Sequence, residues 1–297
     1  MILVTGGDGF IGRHVCSVFS KYRHDVIAVD RRFASPAPYQ AVTGDLTDRA
    51  FLAALFREYS FDSVVHLASL LNTASRQQPQ EAMQVNIGVS LSLLELATQF
   101  GTPQFVYGSS ISAYGSKRFS DHGNVSETVL AAPNDVYGIS KRYVEVVGEA
   151  CRRQTDLQFV ALRIATVVGA GAKNTSSKWR SALFEELTTS QPTTIHIPYL
   201  HSEIIPLVHV EDVAEMIRQL VKANQIEYTI YNTPSESWRF GELAEHISGL
   251  NKHIQFTFGK SIVDDIPQAI NGQRFIEEFG YNATSLKQQL SALVNEY

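Results

Sequence analysis

At 297 residues, with 44% hydrophobic and 19% charged residues, the chain can build a sizeable core as one large α/β domain or two lobes. A formal net charge of -5, with Arg31-Arg32 and Arg152-Arg153 as only short basic pairs, argues against a nucleic-acid or anionic-membrane partner. No apolar run is long enough to span a bilayer, no secretory leader is expected ahead of Ile2, and the distant Cys16 and Cys151 do not make a disulfide framework, so a cytoplasmic protein is expected.

Residues 2–4 form an apolar run that reads as a buried parallel strand. Gly6, Gly9 and Gly12 then punctuate a turn into an amphipathic helix over residues 10–22. A strand breaking on glycines into a helix aims backbone N–H groups at one point, which suits a phosphate or pyrophosphate. Gly6 permits the tight turn, Gly9 a close approach of the ligand, and Gly12 close packing of the helix on the sheet. The Gly-x-x-Gly-x-x-Gly spacing is a variant of the dinucleotide-binding theme.

A second strand, residues 25–30, ends in Asp30. An acid there accepts hydrogen bonds from the adenosine ribose hydroxyls and repels a 2′-phosphate, which favours NAD. Arg31 and Arg32 keep NADP open as the alternative, since a guanidinium pairs with that phosphate.

Residues 40–44 read as a third strand, and a helix through Phe56 starts at Thr47 or Asp48 as cap. Residues 63–67 form a fourth strand ending at Ala68-Ser69, where small side chains let a cofactor lie against the strand end. His66 reads as a packed core histidine, with no second ligand at metal-binding spacing. Residues 72–80 read as a polar loop and residues 81–100 as a helix. A fifth strand, residues 104–108, delivers Ser109-Ser110 at its carboxyl end. This repeated alternation predicts a doubly wound parallel sheet with Asp30, Ala68 and Ser110 facing one crevice.

Residues 114–134 are polar and without period, a lid or substrate-side loop or a plain insertion. A helix then carries Tyr137 and Lys141, followed by a strand over residues 157–166. Beyond Val167 the alternation is less regular: helices over 176–188 and 211–223, strands over 194–197 and 228–231, and short helices around residues 253–258.

Tyr137 and Lys141 lie four apart, hence on one helix face. A phenol of pKa about 10 is a poor base near neutrality. A neighbouring ammonium and the positive nicotinamide ring of an oxidised cofactor favour the phenolate. A serine beside the same oxygen, Ser110, orients and polarises the substrate hydroxyl or carbonyl, while Tyr137 takes or gives the proton as hydride moves.

Taken together, these motifs resemble the extended short-chain dehydrogenase/reductase family, the NAD-dependent epimerase/dehydratase group. Thr5-Gly-Gly-Asp-Gly-Phe-Ile-Gly12, His66-Leu-Ala-Ser69, the segment from Asn86, Ser109-Ser110-Ile-Ser-Ala-Tyr-Gly115, Tyr137-Gly-Ile-Ser-Lys141, Leu162-Arg163 to Gly169 and Val208-His-Val-Glu-Asp-Val-Ala214 are each similar to one of its motifs, in order. The resemblance implies a Ser110, Tyr137, Lys141 catalytic set. It implies a cofactor site drawn from Gly6, Gly9, Phe10, Ile11, Gly12, Asp30, Arg31, Asp45, Leu46, Leu67, Ala68, Ser69, Asn86, Ser109, Tyr137, Lys141 and Ile164. Lys141 then also binds the nicotinamide ribose, Asp45 and Leu46 flank the adenine, and Asn86 supports the active-site helix.

Three departures bear on the substrate, one of them Thr166 in place of the family's common Asn. Ile111 and Ser112 stand where family 4,6-dehydratases carry an acidic pair, which disfavours sugar dehydration, and Ile204-Ile205-Pro206-Leu207 stands where many nucleotide-sugar members place an arginine. Ser112, Asn174, Lys178 and Arg180 are the substrate-side candidates, with Lys173 beside them. The fold expected is α/β, a doubly wound parallel-sheet Rossmann fold with a smaller C-terminal substrate lobe. Residues 1–166 form its NAD-binding domain, joined again by 206–233, and residues 167–205 and 234–297 form the lobe. The function expected is hydride transfer at a secondary alcohol or ketone of a sugar-like or sugar-acid-like small molecule. The alternatives are a nucleotide-sugar epimerase with retained NAD and an inactive cofactor-binding regulator. A homodimer, no metal and no nucleic-acid or membrane partner complete the expectation.

Overall fold

The computed structural model describes residues 1–117, 123–172 and 178–295. Its first strand, β1 (Ile2–Thr5), is buried at all four positions, as a strand covered on both faces must be. It breaks at the glycines into α1 (Phe10–Lys21), which buries Val15, Cys16 and Phe19 along one face. Next come β2 (Val26–Asp30), β3 (Gln40–Thr43) and α2 (Arg49–Glu58), whose cap Asp48 accepts from the N–H groups of Ala50 and Phe51. After β4 (Ser63–His66) the chain forms α3 (Asn72–Gln77), α4 (Pro79–Met83), a π turn over Gln84–Val89, and α5 (Ser90–Gln99).

β5 (Gln104–Ser110) passes through a 3-10 turn, Ile111–Tyr114, to α6 (Val136–Gln154). β6 (Gln158–Ile164), β7 (Thr166–Val168), α7 (Lys178–Glu185), β8 (Thr193–Tyr199), β9 (Ile204–His209) and α8 (Val210–Lys222) follow. The chain closes with β10 (Ile230–Asn232), β11 (Glu236–Arg239), α9 (Phe240–Leu250), β12 (Ile254–Ser261), α10 (Gln273–Phe279) and α11 (Leu286–Asn295).

Among the described residues, seven parallel strands form one Rossmann sheet in the order β10-β6-β5-β4-β1-β2-β3. The order reverses between β1 and β4, and a crevice opens outside the strand ends at such a switch point. Alternate residues of β1 feed different cores. Ile2 and Val4 pack with α1 and α8, while Leu3 packs with α2, α5 and Val144 of α6. Each fully buried Leu, Ile, Val or Phe in these layers contributes about 1.5–3 kcal/mol. A third core, built on Trp179, Leu183, Ile197, Trp238, Phe240 and Leu290, lies beneath the small sheets β11-β9-β7 and β12-β8. Among the described residues no helix is long and apolar enough to cross a membrane.

The structure corrects several local readings. The polar stretch read as a loop over residues 72–80 contains α3. It has no side-chain N-cap bond and is held instead by Ser75 Oγ donating to Leu70 O (2.8 Å) and Asn72 Nδ2 donating to Asp265 Oδ2 (2.5 Å). The next helical stretch starts on Pro79, at a position where a missing N–H costs nothing, and is interrupted by the π turn. The strand read over 157–166 divides at Ala165, whose N–H is taken by Thr233 Oγ1 (3.0 Å), and β7 continues in the small sheet. Residues 204–209 and 236–239 form strands that apolar periodicity left unread, and residues 254–261 pair in parallel with β8. Of the stretch 206–233 expected to rejoin the first lobe, α8 packs on α1 and β10 enters the main sheet, but β9 lies in the three-stranded sheet.

Candidate active site

The glycine turn after β1 is a bare backbone surface. Gly6 has φ +76°, and a Cβ there would come within 2.8 Å of the Ala68 nitrogen. A Cβ on Gly12 would lie 2.0 Å from the Gly6 carbonyl oxygen, so only glycine allows α1 to start this close to the turn. Gly9 caps α1 with no side-chain hydrogen bond, and Phe10, Ile11 and Gly12 of its first turn line the cleft above. First-turn N–H groups and the helix dipole there make an anion seat that fits a pyrophosphate. Asp30 at the end of β2 is fixed beside this turn. Its Oδ2 accepts from the Asp8 N–H (3.0 Å) and its Oδ1 from the Arg31 N–H (2.7 Å).

Ser110 ends β5, and its Oγ accepts from the Ser112 N–H (3.1 Å) and donates to Ser112 Oγ (3.2 Å). Asp135 caps α6 by accepting from the N–H groups of Tyr137 (2.8 Å) and Gly138 (3.0 Å), which fixes Tyr137 in the first turn. One turn on, Lys141 is 2% exposed and its Nζ donates to the Gly108 carbonyl (2.7 Å), 5.4 Å from the centre of the Tyr137 ring. Burial pushes the Tyr137 phenol up to about 12, against the downward pull of hydrogen bonds with Ser69 and Ser110. Burial likewise brings the Lys141 ammonium down to about 7, with Glu145 opposing. In the protein by itself the phenol is therefore raised, not lowered as an adjacent ammonium alone would make it, because desolvation by burial outweighs the hydrogen bonds with Ser69 and Ser110.

A buried polar layer stands behind these groups. Glu145, fully buried, accepts from Arg163 Nε (2.8 Å) and Nη2 (2.7 Å), from Ser109 Oγ (2.6 Å) and from Arg142 Nη1 (3.1 Å). Asn86, in the π turn, accepts from the Leu70 N–H (2.7 Å) and donates to Leu70 O (2.9 Å) and Ser140 Oγ (3.3 Å), which ties the strand-four loop to α6. His66 is buried between Thr5 Oγ1 (2.6 Å) and Ser90 Oγ (2.8 Å), and burial drops it to about 3, as suits a neutral core histidine.

A cleft of about 620 Å³ joins the glycine turn to the small sheets. Its walls bring together Gly6, Gly9, Phe10, Ile11, Gly12, Asp30, Leu67, Ser69, Ser109, Ser110, Ser112, Tyr137, Lys141, Ile164 and Arg180 of the expected site. Other expected residues stand elsewhere. Ala68 abuts Gly6 from below, and Asn86 supports from behind. Arg31 is turned toward Glu81 (3.8 Å), and Arg32 takes its place on the wall. Asp45 is exposed and caps Thr47, whose N–H and hydroxyl hold the carboxyl below its usual range, while Leu46 is buried in the core. Lys178 is exposed and off the wall, and Lys173 and Asn174 lie outside the described residues.

Arg13, Asn72, Arg76, Tyr199 and Asp265 also line the cleft and were not read from the sequence. Only Arg13, abutting the glycine motif, had a signal that could have found it. Asp265 is held by Asn72 and faces Arg76 (3.8 Å) across 193 and 189 residues of chain, a juxtaposition no local pattern announces. Among the described residues Arg180 Nε is buried without a hydrogen-bond partner, in the electrostatic field of Tyr137, Tyr199 and Asp265.

The chain is 33% identical to UDP-glucose 4-epimerase of Streptococcus mutans serotype c over 177 residues, 57% of this chain and 52% of that protein. A similar match, 29% over 191 residues, is found with UDP-glucose 4-epimerase of Mus musculus, covering 58% and 54%. The chain thus matches about half the length of these relatives. In fold it is similar to the GalE-like L-threonine dehydrogenase from Cupriavidus necator in its holo form, with TM-score 0.87, 22% identity and coverage of 100% and 99%. It is also similar to MoeE5 in complex with UDP-glucuronic acid and NAD, with TM-score 0.84, 25% identity and coverage of 99% and 97%. The family model for the NAD dependent epimerase/dehydratase family matches residues 2–233, and the chain belongs to that family.

Proposed function

We propose that this protein is an NAD-dependent oxidoreductase acting at a secondary alcohol or ketone of a small, polar substrate that bears a carboxylate or phosphate group. The observation that carries the reading is a single cleft with the glycine turn at one end and Ser110, Tyr137 and Lys141 on its wall. The turn N–H groups of α1 would hold the pyrophosphate, Asp30 the adenosine ribose, and Lys141 the second ribose. NAD, when bound, supplies the hydride acceptor and a positive ring.

The chain's own residues move the proton. Ser110 Oγ holds the substrate oxygen against the phenolic oxygen of Tyr137, and Tyr137, in its phenolate form, takes the substrate hydroxyl's proton as the carbonyl forms. Lys141, fixed by the Gly108 carbonyl, places its charge near the phenol and favours the phenolate. On the substrate side, Arg180 is half-buried on the cleft wall and its buried Nε lacks a partner among the described residues, so a carboxylate or phosphate beside this guanidinium supplies an acceptor. Sugar acids and hydroxy acids fit that demand, as does L-threonine, the substrate named for dehydrogenases of this fold.

The test is turnover with NAD against a panel of sugar acids, hydroxy acids, L-threonine and UDP-sugars, with wild type and Arg180→Met. Accumulation of reduced cofactor with an alcohol that bears a carboxylate or phosphate, and a KM raised about tenfold or more by Arg180→Met, are expected. Absence of cofactor reduction across the panel rejects the dehydrogenase reading. The second reading is a nucleotide-sugar epimerase with retained NAD, supported by the 33% identity to UDP-glucose 4-epimerase. It requires sugar interconversion without net reduction of cofactor.

We place the protein in the cytoplasm as a homodimer. Free Cys16 and Cys151 suit a reducing compartment. Ile139, Tyr143 and Val146 form an outward apolar stripe on α6, each 45–49% exposed, and Met83 at the end of α4 and Phe100 after α5 are exposed as well. A second copy covering that stripe would build a helix bundle.

A further inference from the structure

We infer that Arg13 is a side-chain clamp for the pyrophosphate of the bound dinucleotide, an addition to the backbone seat formed by the glycine turn; this rests on the NAD reading proposed above. Arg13 follows Gly12 in the first turn of α1, and helical side chains lean toward the helix N-terminus. Its guanidinium accordingly reaches back over the turn, where Nη1 donates to the Asp8 carbonyl (2.5 Å). Nη2 donates to the Gly171 carbonyl (2.5 Å), in the loop between β7 and α7. That loop is itself pinned to α7, because the Gly171 N–H donates to Glu185 Oε1 (2.7 Å) and the Ala172 N–H to Ser181 Oγ (2.6 Å).

The guanidinium is therefore held from both lobes by neutral carbonyls, and it lines the same cleft as Gly9, Phe10, Ile11 and Gly12. A guanidinium has five N–H donors, and two carbonyls use two of them. Carbonyl partners orient a cation without neutralising it, so its charge is left for an acceptor in the cleft. The first-turn N–H groups and the helix dipole already favour a negative group at this position. An oriented planar cation beside them matches two phosphate oxygens at once, which a lysine or a neutral side chain does not.

The experiment titrates NADH by its fluorescence into wild type, Arg13→Met and Arg13→Lys, with ADP and adenosine as competitors. Arg13→Met should weaken NADH and ADP about tenfold to a hundredfold while leaving competition by adenosine unchanged, and should flatten the salt dependence of NADH binding. Arg13→Lys keeps the charge but not the planar donor set, so it should lie between the two and serves if Arg13→Met does not fold. NADH bound by both variants within about twofold of wild type overturns the clamp, as does an equal loss for adenosine and ADP, which marks a disordered turn. Wild type failing to bind NADH at all overturns the dinucleotide reading itself and the clamp with it.

Discussion

Lys141 Nζ donates to the Gly108 carbonyl at 2.7 Å and lies 5.4 Å from the Tyr137 ring centre, an ammonium seated by the end of β5 and aimed at a phenol on its own helix. The helical spacing provides the pair, and the strand decides where the charge points.

That seat has a measurable cost. Burial lowers Lys141 to about 7 from 10.5, so between those values the unfolded chain holds a proton that the folded one has released. The penalty is complete below pH 7 and fades as pH rises toward 10.5, so this group makes stability increase with pH in that window. The slope approaches ~1.4 kcal/mol per pH unit for one proton. Denaturant melts of wild type and Lys141→Met at several pH values check it, and parallel pH dependences in the two proteins contradict it.

Tyr137→Phe removes the proton acceptor while keeping the ring. Turnover should fall about 10²–10⁴-fold with NADH affinity nearly unchanged. Steady-state rates beside fluorescence titration separate the two quantities, and an unaltered kcat discharges Tyr137 from the role.

Asp30 is held against the glycine turn by the Asp8 N–H. Asp30→Ala should shift preference from NAD toward NADP by about tenfold or more, since it removes ribose hydrogen bonds and leaves Arg32 on the wall. The ratio of kcat/KM for the two cofactors reports this, and a constant ratio takes Asp30 out of ribose recognition.

Glu145 and Arg163 form a two-pronged ion pair with side chains 0% and 2% exposed. Glu145→Gln strands the guanidinium without its counter-charge, at a cost of about 3–5 kcal/mol. Urea unfolding measures it; a loss below about 1 kcal/mol means that Tyr114, stacked 4.3 Å from the guanidinium, and the remaining hydrogen bonds suffice.

The stripe of Ile139, Tyr143 and Val146 predicts a dimer that Tyr143→Glu dissociates. Light scattering should give twice the chain mass for wild type and the single mass for the variant. A monomeric wild type rejects the assignment.

Much of the site was legible in the chain because local sterics write it there. Glycines at positions 6, 9 and 12 specify a turn that no other residue can make, and the i,i+4 spacing of Tyr137 and Lys141 specifies one helix face. Alternating apolar runs and amphipathic stretches determined the parallel sheet, since strands covered on both faces must read that way. Only the tertiary structure decided that the chain changes sheets at Ala165, that Asn72 and Asp265 meet across 193 residues, and that Arg13 reaches Gly171 across 158. Protonation was decided there as well, because Tyr137 and Lys141 are shifted first by burial, a property of the packed molecule that no spacing along the chain contains.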